Sequence, residues 1–181
     1  MANIGTVRSI TQVGTYEPFE LQVARGQITG HSTVNIYGLQ AVVTTTYIPI
    51  WENASAYTYP VAATTMHLAS SVNTGSDLTA KITIQGLDAS YNQISETIAL
   101  NGTTAVTTTK SYLRINSMNV ASGAPTGTIT LKDLTDTTTY AQINTTIGRT
   151  QMAIYTVPAG YTFYLSRIDA YTSANGYSAD Y

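Results

Sequence analysis

Cysteine is absent from this chain, which excludes disulfides and thiolate metal sites, so the fold must close by packing alone. Charge is scarce too. Asp, Glu, Lys and Arg make up 10% of the 181 residues, against about 25% in an average soluble domain. Net charge is −2 with no cluster of Lys and Arg, which argues against a nucleic-acid groove. No apolar stretch approaches the ~20 residues of a membrane span. The opening "MANIGTVRSITQVGTYEP" lacks the basic and apolar regions of a signal peptide. The expectation is a cytosolic origin rather than export, with no membrane partner. Hydrophobic residues still reach 43%, so the chain is not disorder-like. A surface this poor in charge is weakly protected against association, and burial between subunits would favour it.

Helical periodicity is nowhere sustained, whereas 33 of the residues are threonine and 14 are tyrosine. Both suit the pleated, half-buried surface of a strand. The fold class expected is all-β: an antiparallel β-sandwich, jelly-roll or immunoglobulin-like, with an extended N-terminal arm and a second, incomplete β unit at the C-terminus. Residues 1–55 read as that arm or as edge strands. There "TVRSITQV" and "FELQVARGQI" alternate around a turn-like "GTYEP", and Pro49 interrupts "AVVTTTYIPIW".

Residues 56–150 read as the sandwich. "KITIQGL" and "QISETIAL" alternate around "DASYN". Asn101–Gly102 is a strong hairpin signal, since both residues tolerate the positive φ of a type I′ turn. In "YLRINSMNV" the apolar phase moves from Leu113 and Ile115 to Met118 and Val120, so a bulge is expected near Asn116. "TITLKDL" and "YAQINTT" pair across "TDTTT". Residues 151–181 read as one hairpin, "MAIYTVPAGYTFYLSRI", with Val157, Phe163, Leu165 and Ile168 to hide. An isolated hairpin is marginal in water; a neighbouring subunit or further chain is expected to cover it.

Chemistry-bearing constellations are few. Glu96 lies between Ile94 and Ile98 on one side of its strand, and no second acid is placed to help it. It reads as a rim charge that discourages wrong pairing. His31 and His67 fall in no zinc-ligand spacing. Asp77, Asp88, Asp133 and Asp136 sit in polar turns that Asx hydrogen bonds explain. No G-x-S-x-G elbow occurs. Asn53, Asn101 and Asn144 open N-x-[ST] sequons that a threonine-rich chain produces by chance. The expectation is therefore no catalytic residue, no cofactor and no metal. Tyr57, Tyr59, Tyr155, Tyr161 and Tyr164, with Phe163, gather around two proline-marked turns, "AYTYPVAATTMHL" and "IYTVPAGYTFYL". Such rings serve equally as strand packing and as interface contacts, and they are the interface candidates.

"FELQVARGQITGHSTVNIYG", "YTYPVAATTMHLAS", "ITIQGLDASYNQISETIALNG" and "SYLRINSMNV" resemble a family of virion structural proteins of marine tailed phages, such as those infecting cyanobacteria. The resemblance runs from Phe19 to about Leu165 and lies in strand-and-turn wording rather than in catalytic motifs. Members of that family carry a longer insert after the "MNV" strand and continue past the "YTVPAGYTFYL" hairpin, where this chain soon ends. The resemblance implies a non-enzymatic β-rich protein located in the virion, a capsid decoration or cement protein. Its partners would be further copies and other virion proteins, either the major capsid protein or tail proteins. A tail or tail-fibre attachment component is the alternative. From another class, a carbohydrate-binding adhesin would use exposed tyrosines as stacking platforms.

Overall fold

A computed structural model describes residues 17–41, 47–53 and 55–171. By its contacts the chain divides into two compact units, 1–36 and 37–181. The first described element, α1 (Phe19–Ala24), belongs to the first unit. Here the expectation of alternating strands is corrected for "FELQVA", while "TVRSITQV" lies outside the described residues. Phe19, Leu21 and Val23 alternate as in a strand, yet the flanks decide the outcome. Pro18 stands at the N-cap, and its carbonyl accepts from Leu21 and Gln22 N–H. At the other end Gly26 takes φ +70°. Gly26 N–H donates to the Val23 carbonyl and Gln27 N–H to the Gln22 carbonyl, the two bonds of a Schellman cap. Arg25 closes the turn with an ion pair to Glu17 at 2.8 Å.

The second unit is mostly β. Its strands are β1 (His67–Ser70), β2 (Lys81–Leu87), β3 (Gln93–Ala99), β4 (Val106–Thr107), β5 (Arg114–Ser122), β6 (Ile129–Lys132) and β7 (Thr139–Ile143), with a 3₁₀ turn at Gly75–Leu78. They build two antiparallel sheets, ordered β4-β1-β6-β7 and β3-β2-β5. Alternation places Leu68, Ile82, Ile84, Ile129, Leu131 and Ile143 inside, where both sheets feed one core with Met66, Tyr112 and Trp51. Burying each such aliphatic side chain stabilises the fold by about 1.5–3 kcal/mol.

Three local readings meet their structure here. The "DASYN" loop joins β2 to β3, and the Asp88 carboxylate accepts from Ser90 N–H, Asn92 N–H and Asn92 Nδ2. β6 and β7 pair across the "TDTTT" loop. In β5, Gln85 faces Ser117 and Gly86 faces Ile115, so Asn116 is the extra residue of a bulge. That bulge lets Ile115 and Met118, three apart, both point into the core.

The Asn101–Gly102 hairpin is corrected. β3 lies in the three-stranded sheet and β4 in the four-stranded one, so the dipeptide carries the chain between sheets. Gly102 does take φ +59°, but Asn101 does not share it, and a type I′ turn needs both. Gly102 is held from elsewhere: its N–H donates to the Asp77 carbonyl and its carbonyl accepts from Ser70 N–H.

Of the residues read as an arm or as edge strands, 37–41 and 47–53 fall in the second unit, with Trp51 1% exposed in its core, and 1–16 lie outside the described residues. The C-terminal hairpin forms no ladder among the described residues. A turn does close at Pro158, whose carbonyl accepts from Tyr161 N–H, with Gly160 at φ +80°. The first limb, however, is occupied on both sides. Thr150 N–H donates to the Met118 carbonyl on the β5 side, and Ala153 N–H donates to the Ile50 carbonyl on the other. Leu39 N–H adds a bond to the Gln151 carbonyl. At the bulge, Asn116 works as a piece of strand: its Nδ2 donates to the Thr156 carbonyl and its Oδ1 accepts from Thr156 N–H. The second limb pairs with no strand among the described residues, and Phe163, Leu165 and Ile168 stay exposed.

Candidate interaction surface

The six aromatic candidates separate into a packed group and an open group. Tyr57 is half-buried against the core, its ring edge-on to Trp51 and to Tyr59, each at 5.0 Å. Burial, with the neighbouring Tyr59, pushes its phenol well above the usual tyrosine range against the opposing pull of Arg114. Tyr59 is exposed and lies under the Arg114 guanidinium, 4.7 Å from ring centroid to Cζ. Tyr155 meets Phe163 at 6.1 Å. Tyr161 and Tyr164 are open, at 63% and 78% exposure.

Two residues that sequence reasoning missed join these groups. Arg114 opens β5, and its register partner Leu87 ends β2, which brings the cation beside the β2–β3 loop. There Tyr91 presents its ring 5.7 Å from the same guanidinium. Tyr91 has φ +61°, uncommon for a bulky residue. Its carbonyl is clamped by Ala159 N–H at 2.8 Å, which draws the proline-marked turn against the loop. The signal in the sequence was a lone arginine between Leu113 and Ile115, with a tyrosine in the turn one strand away. Only the register joins them.

The remaining polar candidates are structural ties. Glu96 Oε2 accepts from Thr109 N–H and Oγ1, and its Oε1 from Lys110 N–H. Lys110 Nζ returns a bond to the Ser95 carbonyl. This brace fastens the β3 edge to the segment leaving β4. Asp133 gathers Thr137 and Thr138 N–H with the Thr135 and Thr137 hydroxyls. The Thr138 N–H and Thr135 hydroxyl are foremost among the donors that hold its carboxyl well below the usual range. Asp77, expected in a polar turn explained by Asx hydrogen bonds, is fully buried. Burial alone would raise its carboxyl, but Ser70 Oγ at 2.5 Å, Thr126 N–H and Oγ1, and Gly127 N–H outweigh it and lower it.

A shallow cleft of about 320 Å³ opens on the four-stranded sheet, lined by His67, Ser71, Thr103, Thr130, Lys132 and Asp136 among others. His67 Nδ1 lies 3.1 Å from Asp136 Oδ1. Among the described residues of the cleft, no hydroxyl is hydrogen-bonded to this pair. Among the described residues no three of His, Asp and Glu gather as metal ligands, and no helix is long and apolar enough to cross a membrane. Compared with known proteins, the chain matches no family model, no curated protein and no solved structure.

Proposed function

We propose that this chain is a non-enzymatic structural protein of a phage virion, a decoration or cement protein of the head. It acts through shape and area, with its two sheets packed as an antiparallel sandwich. The observation that carries the reading is the open run at residues 161–171. Tyr161, Phe163, Tyr164, Leu165, Ile168 and Tyr171 are all exposed there, with no ladder to occupy their backbone. Apolar area of this kind marks a contact surface. The scarcity of charge supports the same reading, as does the wording shared with marine-phage virion proteins. The single core fed by both sheets supports the sandwich.

In the particle, further copies and the major capsid protein would cover this run, with an interface above the ~1,000 Å² of a biological contact. Copy number tests the proposal. Hundreds of copies per purified particle, counted by quantitative mass spectrometry and cryo-EM, would place the protein on the head. Six or twelve would assign it to the tail. Absence from the particle would end the virion reading.

A further inference from the structure

Arg114 is built to receive something. Its Nη1 donates to the Pro60 carbonyl at 3.2 Å and the Leu113 carbonyl at 2.7 Å, which fixes the plane of the guanidinium. Tyr59 and Tyr91 both pack on it. The ion pairs among the described residues are Arg25–Glu17, Arg167–Asp169 and the His67–Asp136 contact, and none includes Arg114. Asp88, the carboxylate of the neighbouring loop, is turned into its own backbone. Close by, the Tyr57 hydroxyl is buried without a hydrogen-bond partner. What remains is the Nε–Nη2 edge, the pair of parallel donors that matches a carboxylate two-pronged.

We propose that Arg114, walled by Tyr59 and Tyr91, binds the carboxylate of an aspartate or glutamate side chain presented by a partner polypeptide. The charge count favours a carboxylate over phosphate: the patch holds one cation, which balances a monoanion and leaves a dianion under-neutralised. The surroundings favour a peptide over an acidic sugar. The turn at residues 158–161 abuts Tyr91. It leads directly into the exposed Phe163, Tyr164 and Leu165, whose backbone lacks a ladder, so residues flanking the acid would meet apolar rings and free amides. Tyrosine and arginine are also the residues most enriched at the energetic centre of protein contacts. Arg114 would take such a carboxylate whether or not the chain belongs to a particle.

The test is an NMR titration of the ¹⁵N-labelled full chain with an acetylated, amidated pentapeptide, Ser-Leu-Glu-Leu-Ser, and its glutamine counterpart. Glucuronate and inorganic phosphate are titrated beside them. The glutamate peptide is expected to shift the Arg114 Nε–H resonance saturably and to bind roughly tenfold more tightly than the glutamine peptide, as a charge-assisted pair should. Arg114→Gln should erase that difference, and Arg114→Lys, which keeps charge but not the fork, should restore only part of it. Because Arg114 also holds two carbonyls, Tyr91→Ala serves as the gentler variant, with several-fold weaker binding expected on a folded chain. Equal affinity for the two peptides overturns the proposal. So does tighter binding of glucuronate or phosphate, or a Tyr91→Ala chain that binds unchanged.

Discussion

Ionising Glu52 should weaken the fold. Glu52 is 9% exposed, beside Trp51, and its Oε1 accepts from Gln151 N–H. Its Oε2 is a buried acceptor without a donor among the described residues, and a buried carboxyl short of donors favours its neutral form. Burial accordingly pushes the group up from 4.5 to about 7, against the pull of the Gln151 N–H. A folded state that holds its proton more tightly than the unfolded chain is most stable below pH 4.5. It loses that advantage as pH rises towards 7, and is flat above. Each pH unit of the gap is worth about 1.4 kcal/mol, which solvent screening at a partly wetted carboxyl cuts to a loss of about 2 kcal/mol, still a sizeable share of the ~5–15 kcal/mol that holds a domain. Urea unfolding followed by the fluorescence of Trp51, the chain's one tryptophan, reads this at each pH from 4.5 to 8.5. Glu52→Gln, neutral throughout, should remove the decline. Parallel curves for the two proteins, or a wild-type stability that rises over this range, would refute the reasoning.

Gly102→Val should cost about 2–4 kcal/mol, because φ is +59° and a Cβ there would stand 2.0 Å from Asn73 Oδ1; an unchanged melting temperature would count against the crossover geometry. Asp77→Asn puts an amide among four donors and should cost about 2–3 kcal/mol by urea titration. The wild-type chain, whose Asp77 carboxyl is lowered in the fold, should lose that contribution as pH falls below the ordinary 3.8. Trypsin should cut early at Arg167, which is exposed on backbone without a ladder; first cleavage at Arg114 or Arg149 would contradict this placement. In hydrogen exchange, amides of β2 should outlast those of residues 162–168 by orders of magnitude, and equal rates would show that the second limb is paired after all.

Strands that alternate were legible in the sequence, and so was the bulge at Asn116, because both are one-dimensional patterns. A phase change along a strand is written in its own residues. Where the next strand goes is not: Gly102 fixes a local angle, but nothing local says that β4 will pair with β1 in the other sheet. α1 was misread because Phe19, Leu21 and Val23 mimic a strand while Pro18 and Gly26 supply the decisive caps. The second C-terminal limb was misread because much of its intended partner is tied instead to β5 and the Ile50 segment, contacts that no local pattern announces. The candidate surface was half legible. Tyrosines near the turns could be gathered by eye, whereas Arg114 meets Tyr91 only through the Leu87–Arg114 register.

The limb wedged between β5 and the Trp51 segment sets an order on synthesis. Gln151 reaches Glu52 across 99 residues, so a ribosome adding ~5–20 residues per second has made Glu52 roughly 5–20 s before the N–H that meets it exists. Through that interval the nascent chain carries an acid without the backbone donor that meets it in the fold. Contacts this distant in sequence also slow folding from the denatured state. The emerging chain should therefore engage a holding chaperone, and pausing translation before codon 149 should lengthen that engagement.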